Sequence, residues 1–546
     1  MQILKLLSFA AALGTPGVCL AADPTVADGS GGLTLVDWSI VAVYAAATIG
    51  LGWYYSRRQA STDEYFVGSG NMNPLLVGVS LFATLLSTIS YLSMPGETLG
   101  RGPVGMTTML ALPLIYYIVG YGLLPVYMQQ KVTSAYELLE QRLGLSVRLL
   151  GASLFVILRL IWMSLLVYLT STAIVTMLGL SDNAAAVPVV ALLTGFVAVI
   201  YTSLGGLRAV IITDFMQTIL LFGGALLVLI LVTLDLGGLT WIPTAWNDSW
   251  DTQPLLPTNL STRVSVLGSF ASYLLWYVCT SGGDQTSVQR FMATSDLRAA
   301  RRAYATQLFV SAIVGITLGL VGFALLGYFQ SHPAAMPAGA SLKADADTLF
   351  PHYIAFHLPV GISGLVVAAM FAAAMSSIDS GVNSITAVVM TDGFKRLAKD
   401  HSDTQGSETN LNHARWMAFA IGAIAVVGSS AMGLIPGNIT EVTGKTSNLL
   451  TTPIFGLFLF ALFIPFASPV GAWTGTVCGI ITAVLIAFSG PIFGTVPGDS
   501  SGTELDPISF QWIAPIALAV ILVTGCLASW MFPRSTIPAT GVPASE

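Results

Sequence analysis

Residues 373–383 read Ala-Ala-Met-Ser-Ser-Ile-Asp-Ser-Gly-Val-Asn and set hydroxyls and a carboxylate inside a long apolar run. On a helix, Ala373, Ser376, Ser377 and Ser380 fall at i, i+3, i+4 and i+7 and share one face. Asp379 lies beside that face. Oxygens are expensive inside a membrane span and are usually kept to line an ion or solute path. A cluster of neutral and anionic oxygens suits a small hard cation such as Na⁺. Serines also bond their own i−4 carbonyls and pack helices. That explanation covers one serine more easily than three beside an aspartate.

The surrounding chain makes the membrane setting plain. Of 546 residues, 54% are hydrophobic and 9% charged, with a mean hydropathy of +0.79. Soluble proteins carry about 25% charged residues, so an all-α integral membrane protein is expected. About thirteen apolar runs reach the roughly 20 residues needed to span a bilayer. Among them are 73–94, 147–179, 207–234, 264–282, 359–391 and 446–467. Runs of this length exclude a β-barrel, whose strands need only about ten alternating residues.

Residues 1–22 read as a signal peptide: Lys5, an apolar stretch from Leu6 to Leu13, and small residues closing at Ala22. A single transmembrane domain then covers 33–532, and a short tail covers 533–546. With the N-terminus outside, 15 of the 21 basic residues fall in inside segments and 4 outside. Lys5 sits in the leader and Arg159 within a span. The asymmetry predicts N-terminus out and C-terminus cytoplasmic, in the plasma (bacterial inner) membrane. Cys279, Cys478 and Cys526 lie in or beside different spans and suggest no pairing. The net charge of −6 is spread over loops and points to no nucleic-acid partner. No obligate protein partner is evident. The expected partners are the lipid bilayer and a small organic solute. Loops 235–262 and 329–358 are long enough to form partial lids, or are surface filler.

Two spans look broken. In 80–95, Thr84, Ser87, Thr88, Ser90 and Ser93 dilute the apolar run, and Pro95-Gly96 is expected to end the helix. The run 264–282 stops at Ser281-Gly282-Gly283 before Asp284. Broken helices point to a transport site, because freed carbonyls and half-helix ends coordinate ions there. Between two further spans, Gly205-Gly206 make a tight turn. Asp214 then lies about 10 Å along the next helix, where an acid needs a partner or an ion.

Five segments carry a resemblance: Gly205–Gln217, Asp284–Phe291, Ala372–Ser384, Ser80–Pro95 and Thr133–Arg142. Each falls in the order expected of the sodium:solute symporters, which the chain resembles over about residues 33–467, closest in motif to the bacterial sugar and sialic acid members. The resemblance implies a leucine-transporter-type 5+5 inverted-repeat core over about 73–467, with broken first and sixth core helices. It implies Na⁺ as coupling ion, held by carbonyls of Ala83, Leu86 and Ala373 and hydroxyls of Ser376 and Ser377. A second cation site falls on Asp214, Ser376, Asp379 and Ser380. Asp379 stands where members with that site usually have a hydroxyl. Two acids near one cavity repel unless a cation or proton intervenes. A tighter second ion, a proton, or pairing of Asp379 with Arg159 are all open.

For the solute, the arginine that takes the carboxylate in sialic-acid-transporting members corresponds to Trp162, with Arg159 one turn away. The glutamine used by sugar-transporting members corresponds to Gly444, beside Lys445. Further cavity candidates are Ser87, Ser90, Tyr91, Trp276 and Tyr277, whose rings could stack on a solute or merely pack. The expected function is sodium-coupled symport of a sugar or sugar acid into the cell. Monocarboxylate or vitamin uptake, a passive channel and a transporter-derived sensor are the alternatives. All five histidines lie in loops or at span ends, with neither a His-Glu-x-x-His motif nor a Gly-x-Ser-x-Gly elbow, so an enzyme is not expected.

Overall fold

The computed structural model describes residues 32–56, 71–129, 134–180, 183, 185–394, 407–434, 439–498 and 504–533. The signal peptide expected at 1–22, most of the 394–412 loop and the tail after Pro533 lie outside these residues.

Helix α1 (Leu35–Ser56) precedes a bent pair, α2 (Pro74–Leu85) and α3 (Thr88–Arg101), set 65° apart. Asn73 caps α2 by accepting from Leu75 N–H at 2.9 Å, with Pro74 at the first helical position. Segment α4 (Val104–Gln129) mixes α, 3₁₀ and π turns. Short α5 (Glu137–Leu143) leads into long α6 (Leu145–Met177). Helix α7 (Ala186–Asp235) holds two spans joined at Gly206, whose φ of +62° a side chain would resist. Then come α8 (Val266–Gly283), α9 (Gln285–Met292), α10 (Leu297–Ser331) and α11 (Ala346–Phe356). Helix α12 (Ile362–Val388) continues through a π turn to Phe394. Helices α13 (Ser407–Gly428), α14 (Ile439–Phe463), α15 (Pro469–Ala487) and α16 (Ile513–Met531) complete the bundle. A two-stranded antiparallel hairpin, Val496–Pro497 with Glu504–Leu505, links the last two.

Among the described residues, ten helices are each long and apolar enough to cross a membrane, and the bent pair adds an eleventh. Of the thirteen expected spans, two fall short of that test. They are the shorter apolar stretch Ala186–Ile200 and the broken helix α8, which ends at Gly283.

Pro95-Gly96 does not end the helix as expected: Pro95 sits inside α3, and the interruption falls at Leu86 and Ser87, both extended, beside the carbonyls that the resemblance implied. Proline costs a helix one bond and a clash, but neighbours in a bundle accommodate it. Here Gly322 of α10 packs so closely on the Pro95 carbonyl that an added Cβ would lie 2.5 Å from it. The second break is at Gly283, as expected. Asp284 is extended and caps α9, accepting from Thr286 N–H at 2.8 Å. The carbonyls freed there are satisfied: Tyr127 donates to Gly282 O, and Tyr136 to Gly283 O at 3.1 Å.

Helix α12 is buried along nearly its whole length, packed against α1, α6, α7 and α13. Both long loops are seated rather than loose. In 235–262, Gln253 Nε2 donates to Arg101 O at 2.9 Å and Trp250 Nε1 to Leu99 O at 3.0 Å. In 329–358, α11 packs on α3.

Candidate functional site

The seam between α2–α3 and α12 is built from oxygens. The helical ladder of α2 ends with Leu86 N–H on Phe82 O at 2.8 Å and resumes with Tyr91 N–H on Ser87 O at 3.0 Å. Across the gap, Thr88 Oγ1 donates to Met370 O at 2.8 Å and Ser377 Oγ to Thr84 O at 3.4 Å. Thr84 Oγ1 lies 3.0 Å from Ser380 Oγ. Ala83 and Ala373 are both buried in one apolar cluster on this seam. The bonds of Thr84 and Thr88 to Met370, Ser377 and Ser380 set this stretch of the broken helix against α12, and Leu86 packs against the same cluster. Ser376, one residue along, is turned toward Asp214.

A second oxygen cluster surrounds Asp214, which is fully buried on α7. Ser376 Oγ donates to its Oδ1 and Ser80 Oγ to its Oδ2. Ser380 Oγ lies 3.3 Å from Asp379 Oδ1. Arg290 of α9 enters the same cluster. Its Nη2 donates to Asp214 Oδ2 at 3.3 Å and to Ser380 Oγ, and its Nε to Ser80 Oγ at 2.8 Å. The sequence reading counted Arg290 among the inside basic residues. Instead it is completely buried, on a short helix whose residues Gln285–Phe291 are all buried. A short helix rich in polar residues, following directly on a helix break, was the available signal. Arg159 does not pair with Asp379. It makes an ion pair with Asp284, because Asp284 sits at the break facing α6.

A cavity of about 290 Å³ lies beside the seam. Ser90 and Glu97 of α3, Trp162 of α6, Trp276 and Tyr277 of α8 and Asn448 of α14 line it. Trp276 and Tyr277 meet edge to face at 5.1 Å, and Tyr277 Oη lies 3.1 Å from Ser311 Oγ. Gly444 lies in the wall under the Phe510 ring, 2.8 Å from where a Cβ would be. Lys445 is turned to Asp506 at 2.7 Å. Ser87 and Tyr91 are not part of this lining. Tyr91 packs on Phe350, ring centroids 5.5 Å apart, with its hydroxyl against Gly224. At the mouth, Arg263 holds Glu97 with two bonds, at 2.6 and 2.9 Å, and Glu441 at 2.8 Å. Neither this latch nor the roles of Ser80 and Thr84 in the oxygen clusters was foreseen.

The sequence profile of the sodium:solute symporter family matches residues 65–479. The chain is 30% identical over 473 residues to the sodium/sialic acid symporter of Proteus mirabilis, covering 83% of this chain and 89% of that one. It is 27% identical to the sodium-dependent multivitamin transporter of Oryctolagus cuniculus over 95% of this chain and 81% of that one. The solved structure of a Na⁺-coupled sialic acid symporter in a substrate-bound outward-open state superposes with a TM-score of 0.75 at 26% identity. The match covers 92% of this chain and 99% of that one. It places the two broken helices in a leucine-transporter-type core. The chain belongs to the sodium:solute symporter family and is a sodium-coupled transporter, not an enzyme.

Proposed function

We propose that this protein carries a sugar acid of the sialic acid type into the cell, driven by Na⁺ through alternating access. The N-terminus is outside, the C-terminus cytoplasmic, and the membrane the plasma membrane. Sialic acid is what the similar symporters of Proteus mirabilis and Aliivibrio fischeri carry by name.

The observation that carries the mechanism is the meeting of the interrupted α2–α3 backbone with Ser377. Across that gap Ser377 Oγ donates to Thr84 O at 3.4 Å, so the two elements meet through oxygens. Na⁺ in this seam would be held by carbonyls of Ala83, Leu86 and Ala373 and hydroxyls of Ser376 and Ser377. It would bind best when α12 and the broken helix are in register. A solute that needs the same register then binds with it, a linkage through one conformational equilibrium. The cluster of Asp214, Ser376, Asp379 and Ser380 is the second cation or proton position.

The test is uptake of labelled sialic acid into proteoliposomes under an inward Na⁺ gradient. Accumulation should vanish with a Na⁺ ionophore and in Ser376→Ala/Ser377→Ala. Accumulation that survives the ionophore removes the coupling; normal uptake in the double variant removes the site.

A further inference from the structure

Helices α4 and α10 pack side by side and antiparallel: Arg301 meets Gly120, Gly315 meets Met109 and Gly319 meets Met106. Each keeps one side outside the protein. On α4, Leu110, Leu114, Tyr117 and Tyr121 are exposed. On α10, Arg298, Arg302, Phe309, Ile313 and Ile316 fall at i, i+4, i+11, i+15 and i+18, one helical face, and all are exposed. Both stripes are apolar toward the middle of the span. Both turn polar at the same end, aromatic on α4 and basic on α10. Exposed apolar side chains on a span face lipid, and tyrosine and arginine mark the level where hydrocarbon gives way to headgroups.

The two ends are joined. Arg301 lays its guanidinium on the Tyr121 ring, Cζ 4.1 Å from the centroid, and its Nε donates to Gly120 O at 2.8 Å. Tyr117 stacks on Tyr121 with centroids 5.9 Å apart. These contacts hold the guanidinium still and leave both its Nη groups to point elsewhere. Among the described residues, none of Arg298, Arg301 and Arg302 has an acid partner. The nearest acid in the sequence, Asp296, caps α10 by accepting from Ala299 N–H at 2.8 Å. Three cations thus crowd into five residues. Like charges one turn apart destabilise a helix, so the patch is best met by an anion.

From these observations we infer that the three arginines bind the phosphate of an anionic phospholipid, whose acyl chains lie along Phe309, Ile313 and Leu114. Guanidinium and phosphate form short charge-assisted bonds, and arginines at a membrane surface attract anionic headgroups. A lipid fits better than a soluble partner, because the patch runs without interruption into stripes that lie within the bilayer. The site also touches the transport machinery. Met72 N–H, just ahead of α2, donates to Ala293 O at 3.0 Å. Gly78 of α2 lies so close to α10 that an added Cβ would stand 2.4 Å from Ala303 O. A headgroup that holds the start of α10 therefore steadies the helix on which the broken pair rests. No solute enters this inference, which stands apart from the sugar-acid reading.

Native mass spectrometry and melting temperature read the binding on the purified full chain in detergent. The probes are phosphatidylglycerol, phosphatidylcholine and inorganic phosphate. Phosphatidylglycerol should bind and raise the melting temperature, and the other two should not. Arg298→Gln/Arg302→Gln leaves Arg301 on Tyr121 and changes only exposed side chains. It should bind phosphatidylglycerol about 30-fold more weakly, a factor of about 5 for each arginine, with its melting temperature in phosphatidylcholine unchanged. Arg298→Lys/Arg302→Lys keeps both charges and should bind within a few-fold of the parent. Equal phosphatidylglycerol affinity in the parent and the glutamine variant overturns the site. Equal stabilisation by the two lipids shows that the apolar stripes act without the arginines, and overturns it too. Inorganic phosphate that stabilises as well as phosphatidylglycerol assigns the arginines to a free anion and removes the lipid.

Discussion

Arg290 Nη2 lies 3.3 Å from Asp214 Oδ2, and both side chains are completely out of solvent. One helix was expected to carry the acid to an ion, yet a cation from another helix already stands against it. A buried pair is weak evidence for stability, but breaking one from a single side is costly. Arg290→Gln should therefore lose about 3–5 kcal/mol of stability, read as a lowered melting temperature in detergent. Arg290→Gln/Asp214→Asn should recover part of the loss. A single variant as stable as the parent would mean that the pair has no energetic role.

Asp379 is buried in the same cluster, at the position proposed for a second cation. A cation bound there adds a second site to the one in the seam. The Na⁺ dependence of uptake should be cooperative, with a Hill coefficient above about 1, dropping to about 1 in Asp379→Asn, because the coefficient is bounded by the number of sites. A non-cooperative parent whose uptake is unchanged by Asp379→Asn contradicts the second position.

Arg263 ties α3, through Glu97, to the start of α14, through Glu441, at the mouth of the cavity. Removing it frees both elements to separate. Arg263→Gln should speed thiol-reagent labelling of a cysteine placed at Ser272, which lines the cavity. An unchanged labelling rate would show that the latch does not control the mouth.

His352 and His357 both present Nε2 to one carbonyl, that of Ala335, at 3.2 and 3.0 Å. Tyr328, Tyr353 and His332 surround them, with Asp235 4.0 Å from His332. Burial holds both imidazoles below the ordinary value of 6.5, aided for His352 by His357 and for His357 by His332. A lowered pKa means that folding favours the neutral ring. Their contribution to stability is thus complete above pH 6.5 and is lost as pH falls through the folded values. The melting temperature should fall on acidification below that point, and His352→Gln/His357→Gln should flatten the slope. An equal slope in the variant assigns the acid sensitivity elsewhere.

Local chemistry was readable where it acts locally. The Gly282-Gly283 pair followed by Asp284 announces a helix end and a new cap, and the break is there. The face shared by Ser377 and Ser380 followed from helical period alone, and both hydroxyls lie on the Thr84 seam. Pro95 misled for the opposite reason. Its local penalty is absorbed by packing on Gly322, while the interruption at Leu86 and Ser87 has no local breaker. There, contacts such as Thr88 to Met370 O hold the chain open from outside.

By itself, then, the order of residues determined that this chain lives in a bilayer, where its spans run, and which of them carry oxygens. Composition and the 3.6-residue period are properties of short windows, and windows suffice to read them. Only the tertiary structure decided which charge faces which: Arg290 on Asp214, Arg159 on Asp284, Arg263 on Glu97. Those partners are 76, 125 and 166 residues apart. In a low dielectric an ion pairs with whatever folding sets within a few ångströms, and no local pattern encodes that distance.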